Sequence, residues 1–303
     1  MRAELVCLGN LIVDDVMFAD GTTRLAQPGG ASLYVALAAA LWGTRVAIVA
    51  PVGDAYPRET LDALVARGID LSALRPLNRA GLRTWLRYEP AGRRLEHQPS
   101  SPTHVEASPT PEDLAVVSTD SRAFHIAPIP VVCQERLVEA LAARRDCHVS
   151  IDPHEPIRED TLAQWRPLLN AIDTLFVSEE EIALPGLDDT PAQALRRLES
   201  GRLRSVELKQ GAAGGVHFDV ATQRAFRWPA HTRKVVDPTG AGDAFAGGYL
   251  SGLLAGLRTP ASLARGVVSA SFALEGWGAE GLLAATSSEA GARFDEWRDG
   301  FVG

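Results

Sequence analysis

The chain is short of the residues that mark several large functional classes. Its 303 residues contain only 3 cysteines, Cys7, Cys133 and Cys147. That odd number at wide spacing, with no Cys-x-x-Cys pair, excludes a disulfide framework and a thiolate zinc knot. The 7 histidines are scattered without a His-x-x-x-His pair, so no helix presents two imidazoles to zinc from one face. No uncharged apolar run approaches the ~18 residues of a membrane span; residues 36–41 come nearest. Met1-Arg2-Ala3-Glu4 leads straight into a strand rather than a secretory leader, so a cytoplasmic protein is expected. An excess of basic residues is also lacking: 30 Lys and Arg face 38 Asp and Glu, interspersed, for a net charge of −8. That balance argues against a nucleic-acid partner. Gly-x-x-x-x-Gly-Lys-Ser/Thr is absent, no Gly-x-Gly-x-x-Gly follows the first strand, and there is no Gly-x-Ser-x-Gly. P-loop, dinucleotide-binding and serine-hydrolase readings are thereby set aside.

What is present describes an ordinary globular α/β chain, 46% hydrophobic with a mean hydropathy of −0.01. Leu5-Val6-Cys7-Leu8-Gly9 reads as a buried first strand. Residues 31–42 read as a helix, 45–52 as a strand and 58–67 as a helix stopped by Gly68. The alternation resumes with strands at 123–126, 148–152, 174–177 and 205–209 and helices at 133–145, 161–171 and 192–199. Such βαβα order predicts a Rossmann-like, mostly parallel central sheet with helices on both faces, in a single domain over 1–303. Two stretches, about 11–28 and 81–104, break the pattern with period-two alternation, and Glu89-Pro90-Ala91-Gly92-Arg93 reads as a hairpin loop. They form either a decorative edge sheet or a small β-sheet lid that keeps water from a reaction.

The most informative segment is Val235-Val236-Asp237-Pro238-Thr239-Gly240-Ala241-Gly242-Asp243-Ala244-Phe245. The β-branched pair predicts a strand that stops before Pro238. Gly240, Ala241 and Gly242 carry almost no side chain, and the apolar spacing from Phe245 to Leu257 predicts a helix behind them. Backbone N–H groups and the positive end of the helix dipole then face an anion. Asp243, in the first turn, is placed to take a proton from a hydroxyl while the turn holds a transferring phosphoryl group. The bland alternative is a strand-to-helix turn with Asp243 as an ordinary acidic first-turn residue.

Asp-Pro-Thr-Gly-Ala-Gly-Asp followed by Ala-Phe-Ala-Gly-Gly resembles the C-terminal signature of the PfkB, or ribokinase-like, carbohydrate kinase family. The resemblance implies an ATP-dependent phosphotransferase acting on a hydroxyl of a small polyhydroxylated substrate, a sugar first and a nucleoside or inositol as alternative. Asp243 would be the base and Gly240, Ala241 and Gly242 the anion hole. Asp14 resembles the family's sugar-binding aspartate, against a reading as a solvated loop, and Gly29-Gly30 its substrate-binding turn. Tyr34 stands where many members carry asparagine four residues after the second glycine, which leaves room for an acceptor ring that stacks. Ser178-Glu179-Glu180-Glu181 resembles Asn-x-x-Glu with the asparagine changed; Glu181 would organise the water shell of Mg2+, or the segment is a helix start capped by Ser178. Asp152-Pro153-His154 resembles Asp-Pro-Asn, again with the asparagine changed. Lys209 and Gly211 resemble the nucleotide-side turn, with a surface lysine as the plain alternative. Asp237 and Thr239, with the loop 276–281, would hold a monovalent cation such as K+, and a homodimer through the lid is implied. The two lost asparagines leave open a ligand-binding relative without catalysis.

Overall fold

The computed structural model describes residues 3–301 except 90, 91, 99, 100, 143, 145, 188, 189 and 232. In chain order its elements are β1 (Leu5–Leu8), β2 (Ile12–Met17), β3 (Thr23–Gly29), α1 (Ala31–Leu41), β4 (Val46–Val52), α2 (Arg58–Ala66), β5 (Leu74–Pro76), β6 (Arg83–Glu89) and β7 (Gly92–His97). Next come β8 (Ala123–Ile126), α3 (Val131–Leu141), β9 (His148–Ile151), β10 (Ile157–Arg158), α4 (Leu162–Ala171), β11 (Thr174–Ser178), β12 (Ile182–Ala183) and α5 (Pro191–Arg196). The chain ends with β13 (Ser205–Lys209), β14 (Gly215–Asp219), β15 (Arg224–Trp228), α6 (Ala241–Leu254), α7 (Thr259–Leu274), α8 (Glu280–Ala284) and α9 (Ser287–Phe301).

A nine-stranded sheet has the order β15-β14-β13-β11-β9-β8-β1-β4-β5. Every neighbour from β13 to β5 is parallel, and the β14–β15 hairpin closes one edge antiparallel. Side chains alternate across β1: Leu5 and Cys7 enter the core beneath α1, α6 and α7, while Val6 and Leu8 enter the core beneath α3, α4 and α5. Burial on both faces explains why the strands read as continuous apolar runs. The chain builds outward from β1 in both directions, so the order reverses between β1 and β8. In open parallel sheets the crevice at the carboxyl ends of such strands receives the ligand.

The second sheet, β3-β2-β6-β7, is joined through the parallel pair β2 and β6. It comprises the two segments that break the alternation, and Asp14 and Asp15 stand inside β2 rather than in a solvated loop. Asp15 accepts from Arg83 Nε at 2.8 Å and Nη2 at 2.7 Å, from Gln98 Nε2 at 2.6 Å and from Ala26 N at 2.8 Å. The hairpin loop predicted around Pro90 and Ala91 lies outside the described residues, although Glu89 pairs with Gly92 across it.

Several boundaries moved. The helix predicted over 133–145 begins two residues earlier, after Pro130, and ends at Leu141; Arg145 lies outside the described residues. The strand predicted to end at Val236 does not form. Val235 is exposed, and Val236 N donates to Leu274 O at 2.7 Å, tying this segment to the carboxyl end of α7 instead of a sheet edge. Ser178 starts no helix, because Glu181 N returns to Ser178 O at 3.0 Å in a tight turn after β11. No helix among the described residues is long and apolar enough to cross a membrane.

α6 is wedged between α1 and α7, and its glycines permit the approach. A β-carbon on Gly247 would overlap Val35 O of α1, and one on Gly248 would overlap Arg265 O of α7. Gly247→Val should therefore lower unfolding stability by about 1–3 kcal/mol in chemical denaturation; a variant as stable as the parent would refute the packing account. A second expectation concerns acid. The hydrogen bonds from Arg83 hold Asp15 below the ordinary aspartate value of 3.8, with burial opposing them. A lowered folded pKa stabilises the fold above the unfolded value and loses that contribution as pH falls through the folded one. Asp15→Asn should lose stability at neutral pH and show a shallower fall between about pH 5 and 2 in a series of thermal melts. An acid limb as steep as the parent's would count against it.

Candidate active site

Four of the predicted site residues lie at the amino end of α6. Gly240 is the residue before the helix, with φ 75° in the left-handed region, and no side chain caps the helix end. The helix starts at Ala241, so Gly242 and Asp243 sit in the first turn, whose N–H groups lack partners within the helix. Ala241 departs from expectation: its N–H turns toward Pro238 O at 3.3 Å and does not face outward. An anion held at this turn would therefore meet the amides of the residues around Ala241.

Gly240 has a second reason to be glycine. A β-carbon there would collide with the ring of Tyr34, which rises from α1 and is 2% exposed. Tyr34 thus fills the space behind the turn and is not an open platform on which an acceptor ring could stack. Its hydroxyl remains at the site. Burial first, then the charges of Asp14, Asp237 and Asp243, push the phenol well above its ordinary pKa. Three carboxylates from two parts of the chain thus lie within electrostatic reach of one hydroxyl.

Asp14 is buried and accepts a hydrogen bond from the Thr84 hydroxyl. Gly29, on the neighbouring strand, makes room for it, since a β-carbon at 29 would overlap Asp14 Oδ2. Gly30, with φ 104°, brings its backbone against Asn10 O. Asp14, Gln27, Tyr34, Asp237, Thr239 and Gly278 help line a cavity of about 10 Å³ covered by the second sheet, room for one water. Asn10 was not singled out in the sequence, yet its side-chain oxygen and nitrogen are buried without protein partners, as are Ser32 Oγ and Tyr34 Oη. Buried polar atoms in that state call for water or a ligand. Only its position after the first strand could have signalled Asn10.

The residues expected on the nucleotide side stand at or just after strand ends. Lys209, the last residue of β13, is no surface lysine: its side chain is 12% exposed and donates to Asp152 Oδ2 at 2.5 Å. A β-carbon on Gly242 would come within 3.2 Å of Lys209 Nζ, so the ammonium lies beside the anion turn. Burial works against its charge, but Asp152, Glu181 and Asp243 outweigh burial and lift the lysine above its ordinary pKa. Burial, then Glu181 and Asp243, push Asp152 up, with Lys209 opposing. Asp152, at 1% exposure, keeps Oδ1 without a partner. Glu181 is held at the end of β11 by its own turn, Oε2 accepting from Ser178 N at 2.7 Å. Gly211 stands in an exposed turn after β13 with φ 54° and open space where a side chain would be. His154 is exposed and meets His104 edge-on at 4.6 Å.

Three acidic groups around one lysine leave this corner short of positive charge, which suits a divalent cation. Among the described residues no cluster of three acidic, histidine or cysteine side chains could cage an ion directly. Magnesium held mainly through waters and phosphates fits such a corner. The residues named for a monovalent cation are arranged differently. Asp237 Oδ1 accepts from Tyr88 Oη at 2.7 Å and Thr239 N at 2.9 Å, and Oδ2 accepts from Gly278 N at 2.9 Å. Hydrogen-bond donors already compensate this buried carboxylate. A larger hollow of about 860 Å³ lies at the opposite ends of β9, β11 and β13. Its arginines are already engaged, Arg202 and Arg204 reaching Asp173 at 2.6 and 3.2 Å.

The family model for the pfkB carbohydrate kinases matches residues 2–284. The chain is 29% identical over 285 residues to a cytidine kinase of Thermococcus kodakarensis, covering 91% of this chain and 97% of that protein. It is 27% identical over 281 residues to a fructokinase of Klebsiella pneumoniae, covering 84% and 86%. Among solved structures, a ribokinase from Cryptococcus neoformans in complex with ADP superposes with a TM-score of 0.76 at 16% identity, over 96% of this chain and all of that one. The chain belongs to the pfkB family of carbohydrate kinases, phosphotransferases whose acceptor is a hydroxyl of a small polyhydroxylated molecule.

Proposed function

We propose that this kinase transfers the γ-phosphoryl group of ATP to a hydroxyl of a sugar or of the sugar part of a nucleoside. Asp243 accepts the hydroxyl proton as the oxygen attacks phosphorus and the bond to the ADP oxygen breaks. The observation that carries this reading is Asp243 in the first turn behind a left-handed Gly240, with Lys209 packed beside Gly242. Backbone N–H groups of the turn, at Gly240 and Gly242, and the Lys209 ammonium would stabilise the charge on the phosphoryl oxygens. Asp14, Gly29 and Gly30 would hold the acceptor's hydroxyls beneath the second sheet, which acts as a lid. Mg2+ supplies charge neutralisation between the phosphates, and Glu181 would hold it through water. A monovalent cation at Asp237 and Thr239 stays outside this proposal, since three hydrogen bonds compensate that carboxylate.

The second reading, a nucleoside acceptor, is favoured by the likeness to the cytidine kinase. An acidic chain with no spanning helix among its described residues suits the cytosol, where ATP is available. The edge strand β3, with Leu25 60% exposed, suits pairing with a second copy through the lid.

ADP formation from ATP and Mg2+, measured across sugars, sugar phosphates, inositols and nucleosides, should single out one acceptor class. Asp243→Asn should lower that turnover by ~10²-fold or more with an unchanged melting profile. A near-parental rate in the variant would sink the assignment of the base.

A further inference from the structure

The reaction scheme gives no role to Tyr88, yet this residue of β6 reaches from the small sheet to the approach of the anion turn. Its hydroxyl donates to Asp237 Oδ1 at 2.7 Å and lies 2.7 Å from Thr239 Oγ1, which can donate back to it. The same Oδ1 accepts Thr239 N, while Oδ2 accepts Gly278 N. Thr239 directly precedes Gly240, the residue whose left-handed conformation opens α6. One phenol of the small sheet therefore shares a hydrogen-bond network with the last residue before the turn and, through Asp237, with the loop after α7.

The contact is reinforced around its ring. Tyr88 stacks on Phe18 with centroids 5.7 Å apart, and Phe18 meets Trp277 edge-on at 4.7 Å. Arg24 lies 4.8 Å over the Trp277 ring and pairs with Glu280 at 3.2 Å. These groups join strand residues of the small sheet, and the turn between β2 and β3, to the loop after α7. Beneath them lies the cavity of about 10 Å³.

We infer that Tyr88 is a positioning residue that couples docking of the small sheet to the geometry of the anion turn, so that the turn is set for transfer only while the acceptor is covered. The inference rests on the kinase reading for its purpose and on the hydrogen bonds for its mechanism. Asp237 is buried and needs compensation for its charge. With the sheet docked, Tyr88 supplies one of its three donors. With the sheet lifted, that donor leaves, and Thr239 loses its side-chain partner next to Gly240. Phosphoryl transfer to water is then disfavoured, because the open site lacks the arrangement of the closed one.

Tyr88→Phe keeps the ring and removes the hydroxyl. In hydrogen–deuterium exchange of the full chain, the amides of Thr239 and Gly278, both donors to Asp237, should exchange about tenfold faster, the scale of one lost hydrogen bond. Amides in the middle of α6 should be unaffected. In steady-state kinetics kcat should fall about tenfold with a smaller change in acceptor KM. Phe18→Leu, which loosens the ring contacts without touching Asp237, should raise acceptor KM and spare kcat. Unchanged exchange at Thr239 and Gly278, or a loss in Tyr88→Phe confined to acceptor KM, would overturn the coupling. Should the parent chain transfer no phosphoryl group to any acceptor while the two amides still loosen in Tyr88→Phe, the kinase reading fails and the mechanical coupling stands.

Discussion

The ring of Tyr34 occupies the place where any side chain on residue 240 would have to go, and much of the site depends on that contact. It forces glycine at 240, and glycine permits the left-handed turn that opens α6. The turn in turn sets Asp243 within the first helical residues. Because Tyr34 comes from α1 and α1 crosses α6 at Gly247, one helix supports the turn from behind and the other carries Asp243. The site's most exacting backbone is thus held by packing against a rigid core, not by a loop of its own.

Charge is the second constraint. Asp152, Glu181 and Asp243 all act on Lys209, and the lysine stays protonated because together they outweigh its burial. A corner with more acid than base does not attract an anionic nucleotide alone. On the proposed reading it would favour a nucleotide bearing a cation, with metal and phosphates entering together. Lys209, anchored by Asp152, lies on the side of Gly242 from which it would meet a phosphate on that reading.

The parallel sheet was legible because its strands are continuous apolar runs separated by helical spacing; the strands at 123–126 and 205–209 were read to the residue. The glycine turn was legible because no side chain competes there. What escaped the sequence was governed by distant partners. Val235 and Val236 have strand propensity, but Val235 is exposed and Val236 N donates to Leu274 O at the end of α7. Tyr34 carries an aromatic ring suited to stacking, and only the fold shows that the ring is already used. Asp14 and Asp15 look alike in sequence. Arg83, 68 positions away, takes Asp15 into a bidentate ion pair, while Asp14 faces Thr84 and the glycine shelf. Local chemistry cannot separate two neighbouring carboxylates, whereas strand alternation sends them to opposite faces.

The same alternation bears on how an acceptor arrives. A cavity that admits one water cannot hold a sugar, so an acceptor bound there, as proposed, would require the small sheet to shift from the parallel core. Its first two strands, β2 and β3, join that core at the step from Gly9 to Leu11 before β2 and at the Gly29-Gly30 turn from β3 into α1. Gly30, with φ 104°, has the backbone freedom that a hinge needs. The second place carries the residues that would hold the acceptor. If the acceptor binds there as proposed, displacement of the sheet would expose that shelf, and its return would cover the turn that bears Asp243.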